Sequence, residues 1–175
     1  MKDRESNGKN GGGVYIYIRS NINFQLRADL SPNNLEFLTV EITKPRSKPF
    51  LVSTWYRPPQ SSPDLFSTFE RISDNIDAEN LELYLMGVSN CNLLSEVVNN
   101  NSSHLLNIIH IYGLTQLITE STRVTQYSST LIDLCQTNSP DKISKSGESI
   151  RNACFNLERL CPSFRLAWRG ILLSA

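Results

Sequence analysis

The apolar residues of this chain change their period once, and that change sets the fold class. Up to Tyr56 they alternate or fall in short β-branched blocks. "VYIYI" (Val14 to Ile18), the alternating run Ile22 to Leu26, "LEFLTVEI" (Leu35 to Ile42) and "FLVSTWY" (Phe50 to Tyr56) all read as strands. "KPRSKP" makes a turn between the last two, and Pro58-Pro59 stops the final one. Short connections of this kind predict antiparallel neighbours.

From Ser62 the spacing turns helical. Leu65, Phe66, Phe69, Ile72 and Ile76 fall on one face of Ser62 to Ala78, with Pro63 in the first turn and Ser61 or Ser62 as cap. Leu81 to Met86 is a strand again. Ser102 to Tyr112 is a second helix, stopped by Gly113. Leu114 to Ile118 and Leu131 to Cys135 are short strands. Strands first and helix–strand units afterwards predict a mixed α/β layered domain. Three segments follow: a flexible polar start at 1–10, a domain at 11–138, and a divergent linker and tail at 139–175. In the tail, helical stretches are expected around Ala153–Leu160 and Arg165–Leu173, split by Pro162.

The 175 residues suit one domain, and an apolar fraction of 39% is enough for a core. Lys and Arg together number 17, as do Asp and Glu. That balance argues against binding nucleic acid by bulk charge and leaves room for a local phosphate site. The polar start predicts no secretory leader, and no apolar run approaches the roughly 18 residues of a membrane helix. An intracellular chain with free thiols is therefore expected, with no membrane partner. The oligomeric state is open.

Four places carry polar chemistry beside apolar strands. Tyr56 and Arg57 stand at a strand end on a proline corner. They suit a phosphate grip, or else an interface aromatic and a solvated Arg. Asn90, in Gly87-Val88-Ser89-Asn90, follows a buried strand. It is either a holder of phosphate or metal-bound water, or a turn Asn in the left-handed region. Thr122 and Arg123 lie in a polar stretch. Asp133, inside "LIDL", is costly to bury without a partner. It can orient a histidine, ligate a metal, or reach a loop amide or an Arg. His104 and His110, six apart, lie on different helix faces and share no metal site.

The ordered set "GGGVYIYIRS", "LEFLTVEI", "FLVSTWYRPP", strand-Gly-x-x-Asn, "GLTQLITESTRVT" and "STLIDL" resembles the endonuclease domain of non-LTR retrotransposons. That domain belongs to the endonuclease/exonuclease/phosphatase superfamily with DNase I. The resemblance covers roughly residues 11 to 138. It implies a four-layer α/β sandwich of two mixed sheets flanked by helices, here incomplete at both ends, and Mg²⁺-dependent cleavage of DNA. By position, Tyr56 matches the phosphate-holding Tyr and Asn90 the Asn of Gly-Asp-Phe-Asn. Thr122 and Arg123 match the Thr-Arg segment, and Asp133 matches the Asp that orients a His.

The departures from the family are chemical. Val88 stands where the family has Asp, and Ser89 where it has Phe. The resemblance puts the metal-binding Glu of the family's first strands before residue 11, so no counterpart is expected among the residues given, and no Ser-Asp-His tripeptide follows "LIDL". A valine neither takes a proton nor holds water. The expectation is a degenerate endonuclease fragment with no metal bound, weak or absent DNA binding and no nuclease activity. The readings set against it are a binding module of the same fold, and a working phosphodiesterase using Asp133 or Glu41.

Overall fold

The computed structural model describes residues 13–95 and 99–143, together with the backbone of 154–156 and 165–167. Its centre is one mixed sheet of six strands. In chain order these are β1 (Phe24–Leu26), β2 (Glu36–Ile42), β3 (Phe50–Tyr56), β4 (Glu82–Val88), β5 (Thr115–Gln116) and β8 (Asp133–Thr137). Across the sheet the order is β1-β2-β3-β4-β8-β5. Only β3 and β4 run parallel. Their crossover is helix α1 (Asp64–Glu79), and α2 (Asn100–Ile111) follows β4. A parallel pair needs such a crossover, whereas β2 and β3 need only the Lys44–Pro49 turn. The short strands β6 (Arg123–Val124) and β7 (Ser129–Thr130) form a separate hairpin just before β8.

Both helices pack on one face of the sheet. Phe66, Phe69, Ile72 and Ile76 of α1 and Leu105 and Ile108 of α2 meet Phe37, Leu51, Trp55, Leu83, Leu85 and Leu134. Trp55 is fully buried, stacked on Phe69 at 4.2 Å and edge-on to Phe66. The caps follow the residue chemistry. Asn99 caps α2 by accepting from the Ser102 N–H, and Gly113 leaves it at a φ of 59°, whereas Pro63, not Ser61 or Ser62, holds the N-cap position of α1, with the Ser62 hydroxyl just before it accepting from the Asp64 N–H. Arg27 binds Asp29, Glu41 and Glu79, joining the end of β1 to β2 and to the end of α1.

The opposite face carries Val40, Ile42, Phe50, Val52 and Tyr84. The expected strand Val14 to Ile18 lies here but is not a strand of the sheet. Only Val14 makes a bridge. Ile16 and Ile18 still pack against this cluster while Tyr15 and Tyr17 stay exposed. The alternation holds because apolar burial drives it, and the ladder hydrogen bonds do not follow. Among the described residues the large sheet carries helices on one face, and the second large sheet of the expected sandwich does not appear.

In the tail, Cys154–Asn156 (β9) and Arg165–Ala167 (β10) pair as an antiparallel two-stranded unit. These residues depart from the expected helices. The rest of that expectation, and the flexible reading of 1–10, fall outside the described residues. Cys91 and Cys135 are buried free thiols. Among the described residues no helix is long and apolar enough to cross a membrane.

Candidate active site

Strand register assembles the site. Glu36 opposes Tyr56, Tyr56 opposes Val88, and Val88 opposes Asp133. The four residues form one row across β2, β3, β4 and β8. Opposed residues share a face, and this row lies on the face away from the helices. The next residues along, Trp55, Gly87 and Leu134, point to the helix side. The row sits at the C-terminal ends of the parallel strands β3 and β4, where α/β sheets place polar loops.

Asn90 hangs beside this row on the loop leaving β4. Its φ is 52°, in the left-handed region that Asn tolerates better than most residues. Its side-chain Nδ2 donates to the Arg57 carbonyl at 2.7 Å, which ties the loop to the end of β3. Ser89 is wholly buried and inward, with its N–H donating to the Ile132 carbonyl at 3.0 Å. Tyr56 is half-buried in the row.

Arg57 departs from the phosphate grip drawn from the sequence. Its side chain is 1% exposed, and the guanidinium lies over the Phe66 ring at 4.8 Å. A guanidinium turned into the helix-side core cannot meet a phosphate on the other face. Nor is Arg57 the solvated Arg of the second reading. Alternation after Tyr56 explains this, because the next residue along a strand faces the other way. Glu41 is equally displaced. It projects to the helix side opposite Leu51 and accepts from Arg27 at 2.9 Å.

Thr122 backs Asp133 directly. Its Oγ1 accepts from the N–H groups of Ile132 and Asp133 at 3.3 and 3.4 Å. Gln116 supports the same strand from outside, donating to the Asp133 carbonyl and accepting from the Cys135 N–H. Burial pushes the Asp133 carboxyl above its ordinary value, and the Thr122 hydroxyl pulls it partly back. Arg123 is exposed in β6, on a hairpin whose tip presents Tyr127 at 89% exposure.

A consequence for stability follows. The raised Asp133 carboxyl means the folded chain holds this proton longer than the unfolded chain does. Its contribution is fully favourable below 3.8, the ordinary value, and is lost as pH rises through the folded-state value. Asp133→Asn removes the charged form. We expect it to raise the neutral-pH melting temperature by roughly 2–4 °C and to flatten the fall in stability above pH 4. Thermal melts from pH 3 to 8 read this directly. A variant less stable than the parent at pH 7 would assign the carboxylate a favourable partner.

A scan against protein-family models and a search of curated proteins return no match. Solved structures do match. The endonuclease domain of TRAS1, a telomere-specific non-LTR retrotransposon, superposes with a TM-score of 0.56 at 14% identity, over 73% of this chain and 61% of that one. This chain has the fold of a non-LTR retrotransposon endonuclease domain. It spans about three fifths of the TRAS1 domain's length. A β-hairpin deletion mutant of Staphylococcus aureus beta toxin matches at a TM-score of 0.40 and 14% identity, over 65% of this chain and 46% of the toxin. A double mutant of that toxin with bound magnesium ions matches at 0.40 and 12%, over 75% and 52%. The fold assignment rests on the TRAS1 domain.

The Mg²⁺ ion that an endonuclease of this fold implies does not fit the donors present. Val88 offers no oxygen at the centre of the row. Glu36 and Asp133 stand three strands apart, roughly 14 Å at the usual strand spacing. Glu36 also accepts from the Gly13 N–H at 2.8 Å. Among the described residues no group of three or more His, Cys, Asp or Glu could hold a metal. His104 is far from the row in the fold, its ring against Phe66 on the helix side.

The sequence singled out Tyr56, Val88, Asn90, Thr122 and Asp133 one by one, without placing Thr122 or Asp133 at this end of the sheet, and passed over two residues. Glu36 was visible as an acid opening a strong β-run, in phase with Val40 and Ile42 on the face away from the helices. Gly87 was visible only as a glycine at a strand end.

Proposed function

We propose that this chain is a catalytically silent endonuclease domain of the retrotransposon type, keeping the scaffold of a metal-dependent phosphodiesterase without its chemistry. The observation that carries this reading is Val88 in the centre of the row Glu36–Tyr56–Val88–Asp133. Metal-assisted displacement at phosphorus needs an anionic ligand to hold the ion and a base to prepare water. A valine supplies neither. Asn90, which could orient a phosphate, has its amide nitrogen engaged by the Arg57 carbonyl.

A second reading, a binding module for nucleic acid, draws on the β6–β7 hairpin. It presents Arg123, Gln126 and Tyr127 to solvent beside the row, a cation and an aromatic suited to phosphate and base. With 17 basic and 17 acidic residues, such binding is weak and local.

The test is nicking of supercoiled plasmid by folded protein at stoichiometric amounts, with Mg²⁺ and with a chelator. The expected result is intact plasmid in both. Chelator-sensitive nicking overturns the silent reading. Retardation of intact DNA, lost between 50 and 200 mM salt and abolished by Arg123→Ala, would establish the binding module.

A further inference from the structure

Arg57 touches each of the four residues from Val88, the last of β4, to Cys91. Its backbone N–H donates to the Val88 carbonyl at 2.9 Å. Its own carbonyl accepts from Asn90 Nδ2 at 2.7 Å. From beneath, Nη1 donates to the Ser89 carbonyl at 3.3 Å and lies 3.9 Å from Cys91 Sγ. Nη2 donates to the Ser61 carbonyl at 3.2 Å, which fastens the proline corner to the same group.

This arrangement is costly for mere packing. The side chain is buried, and among the described residues no carboxylate makes a salt bridge with it. Its Nε has no partner there either. A buried guanidinium without a counter-charge is unfavourable unless other groups stabilise it. Here those groups are two carbonyls and the face of Phe66. A methionine of similar length would fill the same space with no charge to bury.

We infer that Arg57 is the positioning residue of the 88–91 loop. Its charge fixes the Ser89 carbonyl, and that bond holds Asn90 in its left-handed turn beside the row. The role does not depend on which residue stands at position 88. The loop keeps its geometry whether or not the chain cleaves DNA.

Arg57→Met tests this, since it keeps the stem and removes the donors. Amide exchange is read by NMR at Ser89 and Cys91, with Leu51 to Ser53 as reference. The expected result is exchange at least tenfold faster in the loop and within about twofold at the reference, with the Asn90 side-chain amide signals collapsed toward solvent positions. Unchanged loop exchange, or an equal rise in both regions, overturns the inference. Should Arg57→Met not fold, Arg57→Ala is measured with millimolar methylguanidinium and with methylammonium. Recovery of the fold and of the Asn90 signals with methylguanidinium alone supports a guanidinium-specific role. Equal recovery with both, or with neither, overturns it.

Discussion

Gly87→Ala loses about 3 kcal/mol of stability or more, near the upper end of overpacking costs. A Cβ built at Gly87 lies 1.9 Å from the Trp55 carbonyl oxygen, 2.8 Å from its carbon and 3.0 Å from its nitrogen. These are backbone atoms, and no rotamer change moves them. The strands cannot separate there without cost, because Trp55 and Gly87 are register partners in the parallel β3–β4 pair. Trp55 cannot shift sideways either, held as it is against Phe69 and Phe66. In a chain of this size the loss corresponds to a melting temperature lower by roughly 6–12 °C. Gly113→Ala is the control. Its φ is 59°, but nothing stands within 4 Å of an added Cβ, so it bears only the left-handed penalty of about 1 kcal/mol. Paired thermal and urea melts check both. A Gly87→Ala variant as stable as Gly113→Ala would show that the sheet end yields, and would undo the claim that close approach selects glycine there.

The second large effect is at the centre of the row. Val88→Asp places a second carboxylate directly across from Asp133 in the antiparallel β4–β8 pair. Opposed Cβ atoms there lie about 5 Å apart, and like charges so placed repel. Burial already raises the Asp133 carboxyl, and a neighbouring anion raises it further. Raised carboxyls stabilise most at low pH. The variant should therefore approach the parent near pH 4 and fall about 2 kcal/mol below it at pH 7. A divalent cation reverses this loss by binding only the folded form, at about 2.7 kcal/mol when present at a hundred times its dissociation constant. Millimolar Mn²⁺ should raise the melting temperature of Val88→Asp by several degrees at pH 7 and leave the parent unmoved. EDTA should abolish the gain. Equal cation responses in the two proteins would mean that position 88 is not the missing donor.

Much of this fold was legible in the chain itself. "FLVSTWY" runs as a strand over the residues expected, and both helices lie within two residues of their periodic patterns. Apolar spacing and caps act over a few residues, so the sequence displays them directly. The Val14 to Ile18 segment shows the limit of that logic. Its β-branched and aromatic residues read as a strand, yet the backbone stays outside the ladder while Ile16 and Ile18 are packed against the sheet. Arg57 shows it again. A residue read as a surface grip proved to be an internal strut, because one step of strand alternation turned it inward. Whether a polar residue at a strand end faces solvent or core depends on what packs behind it, here Phe66 from a helix of another period.

Taken alone, the sequence determined the order and type of the central elements from Leu35 to Tyr112, since apolar spacing and caps are local residue chemistry, and it set a valine at position 88. The tertiary structure alone decided that Glu36, Tyr56, Val88 and Asp133 form one row. They are brought together from a 98-residue span of chain, Glu36 to Asp133, by strand register. Register depends on which apolar faces are buried against α1 and α2, an interaction that no short stretch of sequence contains.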